Sequence, residues 1–189
     1  MAVRITKPEF NLRDKLSSLD GMIPVERMPV GSIIQTRTYS TSTEGTSTNA
    51  TDYVSIGLYV DIIPHLEGSL LEVSAMIPNY SNNSNSGAWT NSFYLALYAE
   101  LPQNTITTAS VPHPNEERLA MFEHPGPKDD VLEFSQVVTP IYYHQAYTPG
   151  RYMFNWRVKL TTGGDTHTFG RNVDGGTTFM TTTVREIKQ

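Results

Sequence analysis

Residues Arg151–Leu160 read RYMFNWRVKL, and their alternation decides the fold class. Tyr152, Phe154, Trp156, Val158 and Leu160 fall on one phase, while Met153, Asn155, Arg157 and Lys159 fall on the other. A period of two is the signature of a strand with one buried face, so the first set is expected inward and the second outward. Upstream, Val131–Val138 and Ile141–Tyr147 flank Pro140 and carry the same β-prone composition. Downstream, GGD at Gly163–Asp165 and DGG at Asp174–Gly176 are turn signals that predict two successive hairpins ending in TTFMTTTVREI. In that last run Phe179 and Ile187 share one phase and Met180 and Val184 the other, so a bulge near Thr181–Thr183 is expected.

The strand pattern extends toward the N-terminus. Gly31–Thr38 is β-prone, and in Tyr53–Ile63 the residues Val54, Ile56, Leu58, Val60 and Ile62 share one face. Between these runs, STSTEGTSTNATD reads as a loop or a solvated strand edge. Leu70–Ile77 and Phe93–Glu100 are further strands, separated by PNYSNNSNSGAWTN, a polar loop with Trp89 as its anchor. The segment from Leu101 to Asp130 holds five prolines and reads as an elaborate surface loop. About eight or more short strands without intervening helices predict a mainly β domain, an antiparallel jelly roll or β-sandwich.

One stretch breaks the β pattern. Ile5–Gly21, ITKPEFNLRDKLSSLDG, reads as a short amphipathic α-helix. Thr6 stands as N-cap with Glu9 at N3, Ile5 and Phe10 occupy the hydrophobic-staple positions, and Gly21 closes the helix. Pro8 disfavours helical backbone at Lys7, which sets the start to within about two positions. Leu12, Leu16 and Leu19 form an apolar stripe that needs a covering partner. Two parts are therefore expected: residues 1–24 as a helical segment and 25–189 as the β domain.

Composition narrows the function classes. A formal charge of −5 and the lack of a Lys/Arg cluster argue against nucleic acid as a partner, because affinity for phosphate backbones comes from neutralising cations. With no cysteine, neither a disulfide framework nor a thiolate metal site can form. No apolar run approaches the ~18 residues of a membrane span, and no signal-peptide pattern opens the chain, which reads as a soluble protein made in the cytoplasm.

Catalytic and metal signatures are weak. His65, His113, His124, His144 and His167 stand at no metal-ligand spacing. The adjacent pairs Asp129/Asp130 and Glu116/Glu117 point apart on an extended chain, whereas glycosidase chemistry needs converging carboxyls. GGD and DGG lack the strand, loop and helix context of a phosphate or dinucleotide site. A non-enzymatic role without cofactor or metal is expected. Aromatics and amides gather instead in expected loops, Tyr80, Trp89 and Asn91 with Asn82, Asn83 and Asn85, and then at Tyr142, Tyr143, His144 and Tyr147, where a β-prone strand is the plainer reading of Tyr142 and Tyr143. Flat rings beside amide donors suit a subunit interface first and a glycan second, so Trp89, Tyr80 and Asn91 are candidate contacts.

Two stretches resemble a known group. ITKPEFNLRDKLSSLD resembles the opening segment of virion structural and tail-fibre-like proteins of tailed bacteriophages, particularly marine ones. The body resembles the small β domains of phage fibre proteins through four runs in order: GSIIQTRTYSTST (Gly31–Thr43), DYVSIGLYVDIIP (Asp52–Pro64), GSLLEVSAMI (Gly68–Ile77) and TTFMTTTVREI (Thr177–Ile187). The resemblance implies a trimeric jelly-roll-like domain displayed on a virion. It also implies attachment to other virion proteins of tail or capsid through Phe10, Leu12, Leu16 and Leu19. The β domain begins within about a dozen residues of the helix, and the insertion at Pro102–Pro127 is large for the pattern. These departures favour a short appendage over a long fibre. A capsid decoration, cement or head-fibre protein is the alternative, and a receptor module for host surface glycan a further one.

Overall fold

A computed structural model describes residues 24–42, 47–48, 52–82, 92–102, 117–124, 133–160, 166–170 and 178–189. The expected helix, with Phe10, Leu12, Leu16 and Leu19, lies outside the described residues. The described chain opens with a single 3-10 turn at Val25–Arg27 and continues as eleven strands. They are β1 (Ile33–Thr41), β2 (Ser47–Thr48), β3 (Val54–Ile62), β4 (Ser69–Asn82), β5 (Phe93–Glu100), β6 (Glu117–His124), β7 (Glu133–Val138), β8 (Ile141–Ala146), β9 (Tyr152–Leu160), β10 (Thr166–Phe169) and β11 (Met180–Ile187).

Every pairing among them is antiparallel. One sheet has seven strands in the order β1-β11-β4-β10-β2, with β7 and β8 also on β4, and the other has the order β3-β9-β5-β6. The pairs nest: β1 with β11, β3 with β9, β4 with β8, and β5 with β6. That nesting is a long hairpin wrapped over itself, the jelly-roll form of the β-sandwich.

Strand β4 is the spine. On one side β11 pairs with Leu70–Met76 and β10 with Asn79–Asn82. On the other, β7 and β8 follow one register from Asn82 opposite Glu133 to Ser69 opposite Ala146, interrupted only at Thr139 and Pro140. The Pro140 carbonyl bridges the gap by accepting from the Ala75 N–H at 3.1 Å.

The two sheets bury one core. Leu71, Val73, Ala75, Ile77, Met180 and Val184 face Ile56, Leu58, Val60, Leu95, Leu97, Phe154 and Trp156. The Trp156 indole N–H donates to Thr182 Oγ1 of the opposite sheet at 3.0 Å, and that hydroxyl donates on to the Ser74 carbonyl at 3.1 Å. A buried donor is thereby satisfied across the core, where an orphan would cost about 1–3 kcal/mol.

Several expectations change. Met153 and Asn155 lie on the phase opposite the core, as their alternation requires, yet both are buried. Asn155 Oδ1 accepts from Ser55 Oγ at 3.0 Å, so the outer phase of this strand is a packed polar layer at that point. The bulge expected in the last strand is absent: β11 pairs continuously with β1 and β4, with Met180, Thr182, Val184 and Glu186 inward, and Phe179 lies before the strand, exposed. The irregularities fall at Ile33/Gln35 in β1, at Leu97/Tyr98 where β5 pairs with β6, and at Ser55/Leu58 in β3, where Gly57 has φ +72°, a conformation that glycine adopts without Cβ strain.

The predicted pair of C-terminal hairpins does not form. Strand β9 belongs to the four-stranded sheet, while β10 and β11 both pair with β4. Strand β4 also runs on to Asn82, into the expected polar loop, and the Pro-rich segment contains β6 as the edge partner of β5.

Candidate interaction surfaces

The connection between β3 and β4 is held by a buried carboxylate. Glu186 points inward at the end of β11 with its side chain fully buried, and its oxygens accept from the backbone N–H groups of His65 at 2.8 Å and Leu66 at 2.9 Å. The Gln35 amide donates to it at 2.7 Å, and His65 Nδ1 lies 3.3 Å away. Burial alone would raise this carboxyl. The donors outweigh burial and hold it below the ordinary carboxylate value.

A second anchor fixes the entry to the domain. Lys188 Nζ donates to the carbonyls of Glu26 at 2.6 Å, Met28 at 2.7 Å and Val25 at 3.3 Å. The backbone of Lys188 also pairs with Gly31 and Ser32. The link into the β domain is therefore tied to the last strand.

The outer face of the four-stranded sheet carries an aromatic and cationic cluster. The Tyr53 hydroxyl reaches Met121 Sδ on β6 at 3.0 Å, so its ring lies across the sheet. Tyr98 meets it edge-on at 5.8 Å. Arg118 and Lys159 lie 5.6 and 5.7 Å from the Tyr53 centroid, and Arg157 lies 4.4 Å from that of Tyr98. The cations are thus already engaged by ring faces. Sequence reading missed this cluster, although Tyr94 and Tyr98 share the phase of FYLALYAE that faces Arg157 and Lys159.

The seven-stranded sheet has a different outer face. Thr38 and Thr183 hydroxyls bond across strands at 3.1 Å, as do Ser40 and Thr181. Arg185 Nη1 donates to Glu72 Oε1 at 2.5 Å and the Tyr143 hydroxyl donates to Glu72 Oε2 at 3.1 Å. Beside them Met76, Val137, Ile141 and Tyr143 are exposed.

Of the residues singled out in the sequence, Trp89 and Asn91 lie outside the described residues. Tyr80 sits in β4 on the phase of Met76 and is only 9% exposed. Tyr142, Tyr143 and His144 stand in β8, within the strand expected over Ile141–Tyr147. Three histidines lie inward, and of these His124 falls within the surface loop expected over Leu101–Asp130. His167 is fully buried beside Asn79, His124 stacks on Phe93 at 5.1 Å, and His144 packs against Tyr152 and Phe154. Burial lowers the pKa of His124 and of His144, the latter offset in part by Glu117. Among the described residues no three His, Asp or Glu side chains converge as metal ligands do.

No protein-family model and no curated protein matches the chain. Among solved structures, Eiger TNF from S. frugiperda is 9% identical, with 84% of this chain and 96% of that one covered at a TM-score of 0.44. The CBM22-1 xylan-binding domain from Paenibacillus barcinonensis Xyn10C is also 9% identical, covering 86% and 99% at a TM-score of 0.31. Scores this low carry no argument about role, and the architecture rests on the chain's own strand order and register.

Proposed function

We propose that the chain is a non-enzymatic structural protein of a tailed-bacteriophage virion, a short trimeric appendage docked through its N-terminal segment with the β domain outward. The observation that carries the reading is the ordered set of four runs resembling phage fibre domains. They coincide with β1, β3, β4 and β11, the strands that begin and end the wrapped hairpin. Phe10, Leu12, Leu16 and Leu19 supply the docking stripe.

The anchored link favours a low-profile attachment on tail or capsid. Lys188 grips Val25, Glu26 and Met28, so the start of the described domain is held in place next to β1. A capsid decoration role shares this feature. The glycan-binding alternative keeps Trp89 and Asn91 as contacts, Tyr80 being buried in β4, and loss of glycan-array signal in Trp89→Ala is its test.

Deleting residues 1–24 tests the main reading. The deletion is expected to leave a folded, soluble domain that no longer joins particles, read by labelling purified virions with antibody. Normal incorporation of the truncated chain would overturn docking through this segment, and absence of the full-length chain from virions would overturn the virion role.

A further inference from the structure

The edge strands of the sandwich are not equally guarded. An open edge offers unpaired N–H and C=O groups to any other strand, and proteins blunt edges with charges, bulges or prolines. Strand β1 carries Arg37 and an irregularity at Ile33/Gln35. Strand β3 carries Asp61 and the break at Gly57. Strand β6 carries Glu117, Arg118 and Glu123, and its pairing with β5 shifts at Leu97/Tyr98. Strand β7 ends at the Thr139–Pro140 break, and β2 is only two residues long.

Strand β8, Ile-Tyr-Tyr-His-Gln-Ala, has neither device. It holds no Asp, Glu, Lys, Arg or Pro, its register with β4 is unbroken, and among the described residues β4 is its sole strand partner. Its one titratable ring besides the tyrosines, His144, packs inward against Tyr152 and Phe154, where burial disfavours the charged form and Glu117 partly offsets it.

The surface beside this edge is neutral and apolar. Ile141 and Tyr143 are each 52% exposed and lie next to exposed Met76 and Val137. Where β1, β11, β4 and β8 run side by side, the outward phase holds two charged residues, Arg185 and Glu72, which neutralise one another.

We infer that the β8 edge, with the outward patch of Ile141, Tyr143, Met76 and Val137, is the surface through which a second copy of this chain binds. Two copies each carry a formal charge of −5, so they meet most readily where neither presents net charge. An unguarded edge also needs a partner with an uncharged strand or apolar face, and the chain itself supplies both.

The inference deepens the trimer part of the function proposed above and does not depend on virion docking. Light scattering on the full-length chain from micromolar concentration upward tests it. The wild type is expected at a multiple of 21.1 kDa. Ile141→Lys and the milder Tyr143→Ser should fall toward the single-chain mass, with unchanged circular dichroism showing that they fold. Met121→Lys, on the β6 edge, should keep the wild-type mass. If the β8 variants fold and keep the wild-type mass, the surface is wrong while self-association stands. If the wild type has the single-chain mass throughout, both the surface and the trimer are overturned.

Discussion

The two sheets treat their outer faces in opposite ways. On the four-stranded sheet, the Tyr53 ring has Arg118 and Lys159 against it, and Asn155, on the same outward phase as Tyr98, is fully buried. On the seven-stranded sheet, small hydroxyls bond to one another and leave Ile141, Tyr143 and Met76 open beside an unguarded edge. Both belong to one jelly roll and share one core. The difference lies in what each face covers: the first sets cations against its tyrosine rings, and the second pairs its polar groups and leaves apolar side chains exposed beside them.

Removing what the two sheets share should have the largest effect. Trp156 is fully buried and bridges to the opposite sheet through Thr182. Trp156→Ala is expected to cost about 3–5 kcal/mol in urea unfolding, lowering the stability of both sheets together. Loss of one sheet's signal before the other would break the premise of a single core.

Next is the clamp at Glu186. Its replacement by Ala leaves the His65 and Leu66 N–H groups without their acceptor and should cost about 3 kcal/mol. The acid response has a definite sign. The folded carboxyl is held below its ordinary value of 4.5, so the unfolded chain binds the proton more readily. The clamp's contribution is therefore fully present above that value and is lost as pH falls through the lower folded value. Glu186→Gln should flatten the acid-side fall in stability, measured by urea titration across that range. An unchanged slope would show that other groups set it.

The smallest effects separate the faces themselves. Tyr53→Ala removes a ring that touches Met121 and two cations, and should cost about 1 kcal/mol. Tyr143→Ser on the open face should change the stability of the isolated chain by no more than about 0.5 kcal/mol. Equal losses at the two sites would erase the distinction between a covered and an open face.

Much of the fold was legible because alternation records one-sided burial directly. RYMFNWRVKL, the Tyr53–Ile63 run and FYLALYAE all became strands. The long-range pairing was less legible. GGD and DGG look like hairpin turns, but the strands around them join different sheets or different parts of β4, and a turn signal carries no information about which sheet comes next. Exposure also misled: Asn155 has an outward phase but is buried, because alternation reports direction and not what lies above. The β8 edge was visible as six residues without charge, yet its meaning required knowing that β8 stands at the rim of the sheet. The Tyr53 cluster joins residues far apart in sequence, which no local pattern brings together.

Amide hydrogen exchange of the full-length chain, compared between dilute and concentrated solution, reports whether the β8 edge gains a partner. Slower exchange on concentration is expected at residues 141–146, with the β3 and β6 edges at 54–62 and 117–124 unchanged. Identical exchange at 141–146 under both conditions, or new protection at β3 or β6 instead, would contradict pairing through β8.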